Sequence, residues 1–189
     1  VECFEGMKAY KDAQGRIRLF RPDCNMQRLN KSMERLYLPQ FDGAELTELI
    51  KELVKVDEAW VPDGEGFSLY LRPTVIGVDP FLGLQVVNQV KLFVFTCPVG
   101  PYYPTGFKPI KLLADDVNVR AWPGGVGASK VGGNYGPTIG PQMKAHENGC
   151  AQVSPKQPIP SSRSQTPSVP APLSSLPKLP TCPPVRPPF

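Results

Sequence analysis

Histidine is nearly missing from this chain. His146 is the only one, which removes histidine-based nucleophile triads and most transition-metal sites, and it reads as a plain helix-surface residue. The five cysteines, Cys3, Cys24, Cys97, Cys150 and Cys182, are scattered without a C-x-x-C pair. That spacing fits reduced thiols inside a cell better than a disulfide framework or a zinc site. No apolar run approaches the roughly 20 residues that cross a bilayer. Acid is absent from 151–189, where Lys156, Arg163, Lys178 and Arg186 stand unopposed and account for the whole net charge of +4. The body, 1–150, is therefore neutral, which argues against a nucleic-acid surface.

What is abundant is glycine in one place and proline in another. Gly124-Gly125-Val126-Gly127-Ala128-Ser129-Lys130-Val131-Gly132-Gly133-Asn134-Tyr135 sets one lysine in a bed of five glycines, residues that permit positive φ and close approach of a bulky group to the backbone. A solvated surface loop is one reading. A phosphate loop is excluded, because that motif needs Gly-Lys-Ser/Thr and here Ser129 precedes Lys130 while Val131 follows it. The remaining reading makes Lys130 a covalent catalyst whose amine forms a Schiff base with an aldehyde cofactor, with the Tyr135 phenol available to hydrogen-bond that cofactor's oxygen.

The remainder of the body reads as an α+β arrangement. Cys3–Tyr10 and Arg16–Phe20 predict a strand hairpin across a polar loop. Arg21-Pro22-Asp23 opens a helix with Met26, Leu29, Met33, Leu36 and Tyr37 near one face, ended by Pro39. A second helix over 43–58 carries a stripe of Leu46, Leu49, Ile50, Leu53 and Val54, with its charged residues toward water. Phe67–Val78 alternates as a strand, and Lys91–Thr96 is apolar enough to predict a buried one. Residues 97–107, rich in proline and glycine, predict a linker. Strand 110–113 then leads through 117–122 to the lysine loop, and a helix over 136–148 starts regular turns near Gly140 and stops at Gly149.

The lysine stretch, together with Phe4-Glu5-Gly6-Met7-Lys8, Arg21-Pro22, Asn25-Met26-Gln27-Arg28, Leu69-Tyr70-Leu71-Arg72-Pro73 and Cys97-Pro98-Val99-Gly100, resembles the eukaryotic branched-chain amino acid aminotransferases. These are fold-type IV enzymes that use pyridoxal phosphate. The resemblance runs from Val1 to about Val153. It is more specific than a likeness to sister enzymes such as D-amino acid aminotransferase or 4-amino-4-deoxychorismate lyase, because of the Phe4–Lys8 and Leu69–Pro73 blocks.

The resemblance implies a small N-terminal domain over 1–96, a linker over 97–107 and the start of a cofactor domain over 108–153. It implies that Lys130 holds pyridoxal 5'-phosphate and then serves as the proton-moving base, that Arg28 grips the phosphate by a directed guanidinium fork, and that Tyr135 touches the cofactor. Arg72, on one strand face with Tyr70, would meet the distal carboxylate of the glutamate/2-oxoglutarate co-substrate, although a structural ion pair with Glu65 or Asp79 is a rival. Phe4, Tyr70, Leu84, Tyr102 and Tyr135 would line the pocket for leucine, isoleucine and valine, with Leu84 reaching across from the second subunit of a homodimer.

Departures from the family pattern carry expectations of their own. The carboxylate that faces the cofactor's ring nitrogen and the threonines of the phosphate cup should lie beyond Val153, where they have no counterpart, and the mammalian redox cysteine pair is missing. Impaired turnover is the expectation. A motif already stands at Phe4, which predicts a preceding segment, the place of any targeting peptide; the compartment is open between cytoplasm and mitochondrion. From Ser154 on come 12 prolines and seven serines, a composition that predicts a disordered tail of polyproline II character over 154–189. Lys178–Pro183 and Pro183–Pro188 are weak candidates for SH3- or WW-type grooves. They supply the alternative function, an interaction protein without catalysis.

Overall fold

The computed structural model describes residues 1–103, 106 and 108–156, all within the unit Val1–Pro158. The tail expected to be disordered, with its SH3/WW candidates, lies from residue 157 on outside the described residues. Five strands make the main sheet: β1 (Glu2–Phe4), β2 (Met7–Lys11), β3 (Ile17–Leu19), β4 (Ser68–Gly77) and β5 (Val90–Val99). The long strand β4 is the axis. Antiparallel β5 follows it for its whole length, from Ser68 opposite Val99 to Gly77 opposite Val90. On the other edge β1 and β2 lie end to end, Phe4 opposite Thr74 and Met7 opposite Leu71, and β3 closes the hairpin outside β2.

The single strand expected over Cys3–Tyr10 is thus two, broken at Glu5-Gly6. The chain stays tied to β4 across the break, because the Glu5 amide donates to the Pro73 carbonyl (2.9 Å). Glycine leaves room there: a Cβ on Gly6 would overlap the phenol oxygen and ring of Tyr70, which would have to move.

One face of the sheet is covered by helices α1 (Pro22–Arg35) and α2 (Gly43–Val56). Cys3, Met7, Ala9, Leu69, Leu71 and Val75 from the sheet meet Met26, Leu29 and Met33 of α1 and Leu46, Ile50 and Val54 of α2. Proline at the first position presets the φ of α1, while Asp42 caps α2 by accepting from the Ala44 and Glu45 amides. Helix α1 stops short of Pro39. Tyr37 adopts a left-handed φ of 54°, its amide donates to Glu34, and the Leu38 amide reaches back to Met33. This is a Schellman closure with tyrosine where glycine is usual. The stripe expected on α2 is narrower than predicted: Leu49 is exposed. Strand β5 is not buried either, since only one side of it meets the core and Phe93 and Phe95 stand partly open on the other.

Strand β6 (Leu112–Val119), helix α3 (Ile139–Glu147) and strand β7 (Gln152–Lys156) form a second, parallel two-stranded unit. The first residues of the expected linker, 97–99, belong to β5. The first residues of the expected tail, 154–156, belong to β7, with Ser154 opposite Ala114 and Pro155 opposite Asp115. No helix among the described residues is long and apolar enough to cross a membrane.

Candidate active site

On the sheet face turned away from the helices, alternation brings three side chains together. Phe4 ends β1, and Tyr70 and Arg72 stand two apart on β4, so all three share that face. The Arg72 guanidinium lies 4.9 Å from the centre of the Phe4 ring and 5.1 Å from that of Tyr70, with Phe95 of β5 at 5.9 Å. Its terminal nitrogen donates to the Tyr70 hydroxyl (3.2 Å). Among the described residues neither Glu65 nor Asp79 pairs with it, and its buried Nε has no hydrogen-bond partner. A half-buried guanidinium held by aromatic rings and without a carboxylate partner among the described residues is suited to receive an anion.

The glycine loop is fastened onto the end of this sheet by its backbone. The Phe4 amide donates to the Lys130 carbonyl (3.0 Å), Cys3 forms a bridge with Val131, and the Lys130 amide donates to Ser32 Oγ of α1 (3.0 Å). Inside the loop, the Asn134 side chain donates to the carbonyls of Val126 and Ser129. Two of the five glycines serve close packing. Gly124 alone in the stretch has a positive φ (80°), whereas a Cβ on Gly125 or Gly127 would collide with Trp122 or Ala121. With both flanking peptides held, the Lys130 amine comes to rest 5.2 Å from the Phe4 ring centre, and the Tyr135 ring packs tilted against Phe4 at 5.2 Å. Neighbouring Cys3 is no nucleophile: burial, aided by Glu2, pushes its thiol up to about 11.

Arg28 and Lys130 open into one cavity of about 320 Å³. Lys31 and Arg120 line it too, and Glu5 is its one carboxylate among the described lining residues. Glu5 is fully buried and accepts from Arg28 Nε at 2.7 Å and from the Gly6 amide at 2.9 Å. The hydrogen bond from Arg28 to Glu5 raises the guanidinium's pKa above its ordinary value, against the burial that works the other way. A larger depression of about 780 Å³ beside the end of α1 shares Lys31, Ala128 and Ser129 but contains neither Arg28 nor Lys130.

The sequence-predicted set is thus divided. Lys130, Arg28 and Tyr135 line the one cavity, and Phe4, Tyr70 and Arg72 form the aromatic and cationic patch beside it. Leu84 and Tyr102 are not brought in: Leu84 is wholly exposed and Tyr102 packs edge-on against Tyr103. Glu5, Ser32 and Arg120 escaped the sequence reading. For Glu5 a signal was present, because Cys3, Glu5, Met7 and Ala9 occupy the inward phase of an alternating stretch, and a carboxylate in that phase needs a cation.

A family model described as amino-transferase class IV matches residues 2–154. The chain is 57% identical over 153 residues to a branched-chain-amino-acid aminotransferase of Dictyostelium discoideum, covering 81% of this chain and 40% of that protein. It is 54% identical to the mitochondrial enzyme of Rattus norvegicus (81% and 39%) and 51% identical to the cytosolic one of Saccharomyces cerevisiae (80% and 40%). It therefore spans about two-fifths of the length of these relatives. Among solved structures, it resembles a T.th. branched-chain amino acid aminotransferase with pyridoxamine 5'-phosphate, at a TM-score of 0.68 and 26% identity, over 82% of this chain and 50% of that one. The same enzyme complexed with N-(5'-phosphopyridoxyl)-L-glutamate matches at a TM-score of 0.64 and 25% identity, over 83% and 49%.

Proposed function

Because the chain belongs to the class IV aminotransferase family, we propose that it carries the lysine-bearing part of a pyridoxal-phosphate enzyme that moves the amino group of leucine, isoleucine or valine onto 2-oxoglutarate. The observation that supports this most directly is the cavity shared by Arg28 and Lys130. Its residues suit the cofactor: Arg28, Lys31, Arg120 and Lys130 face a single carboxylate that Arg28 already engages, a donor set with positive charge to spare for a phosphate and one primary amine for an aldehyde.

Pyridoxal phosphate, when bound, supplies an electrophilic carbonyl and a conjugated ring that accepts electron density from the substrate carbon. Arg28 would hold its phosphate by a charge-assisted fork, within a field to which Lys31 and Arg120 add. Tyr135 would direct its hydroxyl at the cofactor oxygen. The Lys130 amine, able to turn about a fixed backbone, would move a proton between the substrate Cα and the cofactor C4′, acting as general base and then as acid. Arg72 would orient the distal carboxylate of glutamate or 2-oxoglutarate, and Phe4 and Tyr70 would offer branched aliphatic chains a wall that excludes water. Leu84 would join the pocket only from a second copy of the chain, in a homodimer. Relatives from mitochondrion and cytosol match alike, and either compartment accords with the reading.

With Glu5 committed to Arg28, the cavity has no carboxylate among the described residues to hold a ring nitrogen, so turnover by this chain alone should be slow. Titration with pyridoxal phosphate is expected to give an absorbance change that disappears in Lys130→Ala, with leucine-dependent glutamate formation well below that of a full-length relative. An equal absorbance change in Lys130→Ala would overturn the assignment of the lysine.

A further inference from the structure

We propose that Glu5 is a positioning residue for the phosphate site: it fixes the Nε edge of Arg28 and so turns the two terminal guanidinium nitrogens toward the anion. This rests on the reading that Arg28 grips a phosphate. Three observations converge on it. Glu5 is fully buried while the Arg28 side chain is 64% exposed, so the arginine is the mobile partner and the carboxylate the fixed one. The carboxylate is itself tied by the Gly6 amide, which donates to Oε1, and the Glu5 main chain is tied by its amide to the Pro73 carbonyl of β4. Moreover, Oε2 takes Nε at 2.7 Å, and the terminal nitrogens of Arg28 make no hydrogen bond among the described residues.

The adjacent residue, Phe4, holds the Lys130 carbonyl through its amide. Two consecutive residues at the β1–β2 break therefore set both ends of the cavity, one by side chain and one by main chain. A buried carboxylate close to an anion site lowers affinity if it acts only through its charge, whereas it raises affinity if pre-orienting the guanidinium outweighs that repulsion. The two roles predict opposite signs, which makes the proposal decidable.

The experiment measures inorganic phosphate affinity of the full chain by calorimetry, for wild type, Glu5→Ala, Glu5→Gln, Arg28→Ala and the Glu5→Ala/Arg28→Ala double variant, each first checked for a cooperative thermal melt. Pyridoxal phosphate and phosphate-free pyridoxal are titrated in parallel, read by their Lys130-dependent absorbance. Glu5→Ala is expected to weaken phosphate by roughly ten- to a hundredfold, with no further loss in the double variant relative to Arg28→Ala. Glu5→Gln, which keeps an acceptor for Nε, should restore most of it. Pyridoxal should bind Glu5→Ala and wild type alike, which a general loss of structure would not allow. Phosphate binding to Glu5→Ala that is unchanged or tighter would overturn the proposal. Absence of any Lys130-dependent absorbance would instead overturn the cofactor reading and leave the phosphate series to decide the role of Glu5.

Discussion

Single residues at the break between β1 and β2 have duties that none of their neighbours could exchange. Glu5 is charged yet occupies an inward position, and Gly6 is small because the Tyr70 phenol occupies the space a side chain would need. Gly6→Ala would drive the Tyr70 ring out of place and strip Arg72 of its hydroxyl contact. Overpacking of this kind costs about 1–3 kcal/mol, and a urea titration should show that fall in unfolding free energy. An unchanged midpoint would mean that the ring gives way freely. At this scale the grouping of residues was legible where residue type and motif coincide: Lys130 and Arg28 line one cavity, and Arg72 lies beside Phe4 and Tyr70. It was opaque where the partner is distant in sequence: nothing near Ser32 announces that its hydroxyl will hold the amide of Lys130.

Among the elements, the β2–β3 hairpin shows how a turn is held by one acid. Asp12 accepts from the amides of Gln14 and Arg16 and from the side chains of Arg16 and Arg18. What desolvation it suffers pushes its carboxyl up, but these bonds outweigh it and bring it down to about 2. A folded-state value below the unfolded one contributes stability that is complete above about pH 4 and lost as pH falls through about 2. Thermal melts across that window should show the advantage of wild type over Asp12→Asn shrinking as acid is added, and a constant difference would contradict it. Helices and strands were largely legible, since 3.6- and 2-residue periods mark them. Their limits were not. A tyrosine in a left-handed φ closes α1 before the proline that seemed to end it, and a proline-bearing segment joins β6 as an edge strand, a place where a missing amide is tolerated.

In the molecule as a whole, the cavity depends on contacts between distant parts of the chain. Ser32 and Lys130 are bonded across 98 positions, and Phe4 reaches Lys130 from the other direction. Ser32→Ala should cost about 1 kcal/mol locally. Hydrogen exchange at the Lys130 amide would then quicken about fivefold, while the core amides of β4 keep their protection. Equal acceleration everywhere would show the bond to be a global rather than a local fastening. Patterns of charge and periodicity speak of neighbours along the chain and are silent about such closures, so the blocks could be read but not the way they meet.

The clamping of Lys130 on both its amide and its carbonyl has one more result. Its peptide behaves as a mast and its four methylenes as a boom: the amine can sweep across the chamber by bond rotations alone while the mast stays upright. The delivery of nitrogen to successive points that the proposed reaction asks of Lys130 then needs no rearrangement of the loop.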